Sequence, residues 1–245
     1  MSGTEPPRVS GLPPEEWRAA AESVFGDQLP VAERYADALM TDGIVRGLLG
    51  PREAARVWDR HLLNSAVIAE LIPDGSRVID VGSGAGLPGI PLALVRPACR
   101  VVLLEPLARR CVFLQETVAA LGLSDRVTVL RGRAPDVAKA DALPFFGDYA
   151  VARAVAPLER LVSWTMPLVR SDGQLLAMRG ERVEQELLEA GPGITRHGGG
   201  TPVVIELGEH LLGSPVRVVR VPRKHQVGQQ GQRKGESRAK GRQSG

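Results

Sequence analysis

A chain of 245 residues, 43% apolar and 24% charged with a formal net charge of +3, is long for one domain and short for two. It has the material for one full core and an appendage. Two cysteines, Cys99 and Cys111, exclude a disulfide framework and point to a reducing compartment. No apolar run approaches membrane-spanning length, and residues 1–14 lack the apolar centre of a signal peptide. The expectation is a cytoplasmic, monomeric protein without membrane contact.

Residues 1–13 read as a flexible N-terminus and residues 14–72 as a helical subdomain. Its helices are predicted over 15–25, 31–42 and 51–71; the first opens on acids, which suit a helix N-terminus. The third places Leu63, Ala66, Val67 and Leu71 on one face and also carries Arg60, His61, Asn64 and Ser65. From 73 to 222 the pattern changes. Strands are predicted at 77–81, 100–105, 127–131, 149–153, 173–178, 202–207 and 216–222, with helices at 88–95, 107–121, 157–169 and 181–190. Such alternation implies a parallel sheet covered on both faces. The connection over 208–215 is too short for a buried crossover helix, so the last two strands are expected to pair antiparallel. Cys111 shares a helix face with Leu114, Val118 and Leu121 and reads as a buried hydrophobe.

The first strand runs directly into Asp80-Val81-Gly82-Ser83-Gly84-Ala85-Gly86-Leu87-Pro88-Gly89. Glycines at a strand-to-helix turn let the backbone approach a bound cofactor, and the following helix offers free N–H groups and its positive dipole end. Glu105 ends the next apolar strand, where a carboxylate can accept hydrogen bonds from both ribose hydroxyls of an adenosine. Read from Gly84, the loop is a dinucleotide fingerprint, Gly-x-Gly-x-x-Gly. Read from Asp80, it is Asp-x-Gly-x-Gly-x-Gly, which resembles the first motif of S-adenosylmethionine methyltransferases. In that reading Asp80 orders the loop or holds the methionine ammonium through water. Seven strands closing on an antiparallel pair resemble the class I S-adenosylmethionine methyltransferase fold. This is an α/β, Rossmann-like seven-stranded sheet with its last strand antiparallel, here carrying an N-terminal helical extension.

Residues 223–245 are a basic tail expected to be disordered, with Arg223, Lys224, Arg233, Lys234, Arg238, Lys240 and Arg242 against the single acid Glu236. Without the tail the chain is net acidic. Such a tail reads as an arm lying along phosphates, or as a solvated aid to solubility. No metal-ligand cluster stands out, since the four histidines His61, His197, His210 and His225 are scattered.

Several further segments carry a closer resemblance. These are Arg60-His61-Leu62-Leu63-Asn64-Ser65, the loop with its Gly-Leu-Pro-Gly-Ile-Pro extension, Arg96-Pro97, and Arg109-Arg110-Cys111-Val112-Phe113-Leu114 after Glu105. Arg131-Gly132-Arg133-Ala134, Ala152-Arg153-Ala154 and Met178-Arg179-Gly180 extend it. Over about residues 30–222 the chain resembles the bacterial glucose-inhibited division protein B family, guanine-N7 methyltransferases of small-subunit ribosomal RNA. The resemblance implies S-adenosylmethionine as methyl donor, one guanine of 16S rRNA near the decoding centre as target, and the small ribosomal subunit or its assembly intermediate as partner. It implies that Asp80, Gly82, Gly84, Gly86, Leu87, Glu105, Arg133, Ala134, Pro135 and Arg153 surround the donor. Three positions depart from the family pattern: Asn64 stands for Asp, Pro135 for a frequent acid and Arg179 for Lys.

Guanine N7 carries an in-plane lone pair and no proton, so attack on a sulfonium methyl needs no general base. The fourth strand accordingly ends in Ala-Arg-Ala rather than in a motif that seats an exocyclic amine, and no Pro-Cys or Thr-Cys dipeptide is present. Arg153 is the candidate catalytic side chain; its alternative is an ion pair with an acid such as Glu159. A bidentate grip on O6 and N7 would block the nucleophile. Arg153 is therefore expected on O6, a phosphate or the methionine carboxylate. Arg60, His61, Arg109, Arg179, Arg223 and Lys224 are candidate RNA contacts. Competing readings are a small-molecule methyltransferase, a non-catalytic RNA-binding assembly factor and a nicotinamide oxidoreductase.

Overall fold

The computed structural model describes residues 11–153 and 155–224. The expectations for 1–10 and for the tail beyond Lys224 lie outside the described residues. One sheet organises the chain, in the order β3-β2-β1-β4-β5-β7-β6. Its strands are β1 Arg77–Val81, β2 Arg100–Glu105, β3 Val127–Arg131, β4 Gly147–Arg153, β5 Val169–Arg179, β6 Val203–Leu207 and β7 Val216–Pro222. β1 to β5 run parallel, and β7 is antiparallel to both β5 and β6. Strand order reverses at β1, which pairs β2 on one side and β4 on the other. In open α/β sheets, ligands bind outside the carboxyl ends of the strands at such a switch point.

Side chains alternate along each strand, so each strand feeds two cores. Val78, Val101, Leu103, Val151 and Leu176 face one layer, while Ile79, Val102, Leu104, Ala150 and Leu175 face the other. Each fully buried residue of this kind contributes about 1.5–3 kcal/mol. The first layer holds α1 (Glu15–Phe25), α2 (Leu29–Ala38), α3 (Asn64–Ala66), α4 (Gly89–Val95) and α5 (Ala108–Ala120). The N-terminal helices thus share one core with the sheet. Tyr35, Leu39, Leu62 and Ile68 are fully buried in the same cluster as Val78 and Leu103. The second layer holds α6 (Ala134–Lys139), α7 (Leu158–Thr165) and α8 (Val183–Arg196). α9 (Glu209–Leu212) is a single turn between β6 and β7.

β5 starts at Val169, inside the helix expected over 157–169, and the helix expected over 31–42 is α only to Ala38, with a π turn over Leu39–Gly43. Three further elements depart from the sequence reading. α8 continues to Arg196 despite Pro192, because Ala190 and Ile194 are buried against the second layer and packing outweighs local propensity. α6 was not expected, yet Pro135 stands in its first turn, where a missing N–H costs nothing. The stretch predicted as one helix over 51–71 is 3₁₀ over Pro51–Arg56, π over Val57–Leu63, α over α3 and 3₁₀ again over Val67–Leu71. π turns recur at functional sites, and this one holds Arg60 and His61.

Candidate active site

A cavity of 630 Å³ opens at the carboxyl ends of β1, β2 and β3. Gly82, Glu105, Arg133, Ala134 and Pro135 line it with Leu104, Leu107, Arg110, Val155 and Trp164. Glu105 is 1% exposed and held from two sides: Oε2 accepts the Gly84 N–H at 3.0 Å, and Oε1 accepts the Leu107 N–H at 3.0 Å. Arg110 Nη1 lies 3.9 Å from Oε2. Each carboxylate oxygen keeps a lone pair for a further donor.

Beneath the glycine loop, Asp80 is fully buried. Its Oδ2 accepts the Gly89 N–H at 3.0 Å, at the first residue of α4, while its Oδ1 has no hydrogen-bond partner. Burial pushes the Asp80 carboxyl up to about 7. The glycines have separate reasons. At Gly82, φ is +76° and a Cβ would stand 2.9 Å from both Val155 methyls. At Gly86, φ is +102° and a Cβ would meet Ile90 at 2.5 Å and the Tyr35 hydroxyl at 3.0 Å. The protein's own packing is therefore enough to require a glycine at 86. Tyr35 on α2, fully buried, donates its hydroxyl to the Ala85 carbonyl at 2.9 Å and pins the loop from the helical side.

A second cavity, of 460 Å³, opens at the ends of β4 and β5 and the start of β7. Arg60, Asn64, Arg153, Met178, Arg179 and Arg217 are among its lining. Arg153 Nη1 donates to Ser65 Oγ at 2.9 Å; Nη2 donates to the Arg60 carbonyl at 2.9 Å and meets His61 Nδ1 at 3.2 Å. His61 Nε2 is 2.9 Å from Glu53 Oε2. Among the described residues no carboxylate lies within 4.0 Å of Arg153; its hydrogen-bond partners are neutral acceptors, and Glu53 acts on it only at longer range from behind His61. Burial lowers its pKa accordingly. The ion pair with Glu159 does not form, since Glu159 faces Arg196 at 3.6 Å and His197 at 3.9 Å.

A family model described as rRNA small subunit methyltransferase G matches residues 28–209. The chain belongs to that family. It is an S-adenosylmethionine-dependent methyltransferase of small-subunit ribosomal RNA. A methyltransferase G of Frankia alni is 51% identical over 223 residues, covering 91% of this chain and 85% of its own. One from Salinispora tropica is 50% identical over 224 residues, covering 91% and 93%. Among solved structures, cofactor-bound Rv0187 from MTB superposes with a TM-score of 0.57 at 17% identity, covering 87% of this chain and all of that one, a likeness of fold.

Seen as a methyltransferase G, the chain offers S-adenosylmethionine a fitting site. Leu104, Leu107, Ala134, Val155 and Trp164 make the first cavity apolar enough for an adenine, and the Glu105 carboxylate beside them can accept hydrogen bonds from hydroxyl groups. A Cβ at Gly84 would meet only the Gly82 carbonyl, at 3.9 Å, so the backbone there is open to a close ligand. The unpartnered Asp80 Oδ1 under the loop suits the positive methionine end. Leu87 is half-buried and lines neither cavity.

The structure corrects four RNA expectations. His61 is 7% exposed and turned onto Arg153 and Glu53, so it is no surface contact. Arg223 donates its guanidinium to the Val169 carbonyl and its backbone N–H to the Gly173 carbonyl at 2.8 Å, which places it at the opposite end of the sheet. Lys224 is exposed beside it, its N–H bonded to the Gly198 carbonyl at 2.8 Å, equally far from the switch point. Arg179 lines the second cavity, but its Nη1 donates to the Ala156 carbonyl at 2.9 Å and its Nε lies 3.5 Å from Glu186, so it braces the β4–α7 turn. Arg60 is exposed at the second cavity and paired with Glu53 at 3.3 Å; Arg109 is exposed outside both cavities. Arg110, in the segment that follows Glu105, faces that carboxylate and the first cavity. Tyr35, Glu53 and Trp164 go unread in the sequence, where two lone aromatics and a single acid in helical stretches are no signal without the fold.

Proposed function

We propose that this enzyme methylates N7 of a guanine of 16S rRNA near the decoding centre, with Arg153 as the key side chain. The observation that carries this reading is the buried Arg153 guanidinium with no carboxylate beside it, at the seam between two cavities. Val155, two residues on, lines the first cavity, and Arg153 lines the second. The first would seat the donor: Glu105 on the ribose hydroxyls, Ala134 and Pro135 flanking the adenine, Arg133 at the rim, Gly82 beside the methionine half and Asp80 ordering the loop. Bound S-adenosylmethionine supplies an electrophilic methyl. The second cavity would seat the guanine nucleotide.

Guanine N7 needs no proton removed, so the residues' task is alignment, worth several kcal/mol of barrier. The uncompensated charge of Arg153 would act on O6 or on a neighbouring phosphate, leaving the N7 lone pair free. Arg60 and Arg109 would add phosphate contacts from the exposed side. In this reading residues 14–72 clamp the site from one face, residues 73–222 carry the chemistry, and the basic tail adds salt-dependent affinity. The enzyme would work as a cytoplasmic monomer on the small subunit or its assembly intermediate.

The test is methyl transfer from labelled S-adenosylmethionine to unmodified small subunits and to their free RNA, followed by nucleoside analysis. Label in 7-methylguanosine, lost in Arg153→Ala while donor binding persists, is the expected result. Label on another nucleoside, or an Arg153→Ala variant of full activity, would overturn it.

A further inference from the structure

Arg153 is the C-terminal residue of β4, a position that would ordinarily leave a long side chain free to sample rotamers. It is instead held at both terminal nitrogens by one short stretch of the helical layer. Ser65 Oγ takes Nη1 at 2.9 Å, the Arg60 carbonyl takes Nη2 at 2.9 Å, and His61 Nδ1 faces Nη2 at 3.2 Å. The π turn over Val57–Leu63 presents the Arg60 carbonyl and the His61 ring toward β4 together.

The chemistry of the partners fixes the protons. A guanidinium only donates, so His61 Nδ1 must accept and the ring proton must sit on Nε2. Nε2 in turn donates to Glu53 Oε2 at 2.9 Å, and this bond selects the required tautomer. We propose that His61 is a positioning residue: Glu53 holds its proton on Nε2, leaving the Nδ1 lone pair to lock the Arg153 guanidinium at the mouth of the second cavity. Ser65 and the Arg60 carbonyl complete the lock. The inference rests on the reading that Arg153 acts in methyl transfer.

A proton added to His61 would turn Nδ1 into a donor against a donor and place two cations side by side. The charged groups facing the ring are Glu53 from the preceding 3₁₀ turn, Arg60 beside it and Arg153 from β4; Tyr35 of α2 faces Arg153 from the other side. Burial first and then Arg153 lower the His61 pKa from its ordinary 6.5, against the pull of Glu53. The ring is therefore neutral at neutral pH, and the lock opens on the acid side of 6.5.

Two substitutions separate positioning from mere packing. In His61→Asn the amide oxygen reaches the place of Nδ1 and can still accept from Arg153. In His61→Gln the amide reaches the place of Nε2, keeping Glu53 and losing Arg153. Rates are read at saturating donor and saturating unmodified 16S rRNA, with donor affinity measured separately. The wild type should lose kcat below pH 6.5. His61→Asn should stay within about threefold of wild type and lose that acid limb, while His61→Gln should fall by roughly tenfold or more in kcat at unchanged donor affinity. Equal losses in both variants, or an unaltered acid limb in His61→Asn, would overturn the proposal. Nitrogen-15 spectra of the His61 ring decide it independently of activity: the proton must be on Nε2 at neutral pH, and a proton on Nδ1 refutes the lock. Should the wild type transfer no methyl, the reading of Arg153 fails, and the ring spectra still decide the tautomer.

Discussion

The two cavities at the carboxyl end of the sheet are built by different means. The first draws most of its lining from the ends of three neighbouring parallel strands and the turns that follow them, with Gly84 only 21 positions from the Glu105 it holds. The second is made of side chains that meet across the whole fold, with Arg153 bonded to Ser65 and Arg60 over 88 and 93 positions. A cavity built from consecutive turns tolerates drift elsewhere. One assembled from distant elements depends on every layer packing correctly.

The comparison is broken most severely at Arg153. Arg153→Ala is expected to lower kcat by roughly 100-fold, as loss of a preorganised charge at a reacting centre does, with donor affinity nearly unchanged. Steady-state rates alongside calorimetric donor binding would check it, and a matching loss of donor affinity would move Arg153 into the first cavity. Gly86→Ala should hit the first cavity instead. The new methyl meets Ile90 and the Tyr35 hydroxyl on a backbone at φ +102°, at a cost of about 1–3 kcal/mol. Weaker donor binding and a lower Tm are both expected, read by calorimetry and thermal melts.

Tyr35→Phe links the two regions more gently. It removes the donor to the buried Ala85 carbonyl, which costs about 1–3 kcal/mol of stability through an unsatisfied acceptor. Denaturant melts would show it, and donor affinity should weaken with it, since the loop loses its pin.

Acidity sharpens the comparison further. With its carboxyl raised to about 7 by burial, Asp80 favours the protonated form in the folded state without ligand. Its contribution to stability is full below the ordinary carboxylate range and is lost as pH rises through 7. A cationic donor favours the ionised form, so donor affinity should strengthen as pH rises toward 7, by at most about tenfold per unit, and level off above it. Titrations across that range should show the slope, and Asp80→Asn should flatten it. The smallest effect is expected at Arg223: Arg223→Gln should lower Tm slightly by removing the bond to Val169 and leave kcat/KM on RNA unchanged. A clear loss in RNA kinetics would return that residue to the RNA surface.

The alternation of strands and helices, the antiparallel closing pair and the glycine turn with Glu105 were legible in the sequence because each is a local pattern. Period-two apolar runs become strands, short connections forbid crossovers, and glycines concentrate where the backbone must turn. Gly82, Glu105, Arg133, Ala134 and Pro135, named from the glycine turn and from the family resemblance, do line one cavity at the ends of the first three strands. The packing demand on Gly86 from Tyr35 was not legible, because Tyr35 claims that space only after α2 has packed on the loop.

His61 and Arg60 stood out in the sequence as neighbours in a recognisable segment, Arg60 as an RNA contact and His61 equally as an RNA contact or a packing residue. Only the tertiary structure turned the His61 ring inward and brought it to Arg153, 92 positions away. Likewise Arg223 belongs by sequence to a basic tail, yet antiparallel β7 delivers it to the end of the sheet opposite the site. Sequence determined what could bind, since composition and local spacing dictate backbone shape and available chemistry. Packing decided which charges were left uncompensated, because burial and distant partners set the energy of a charge and neither is a local property.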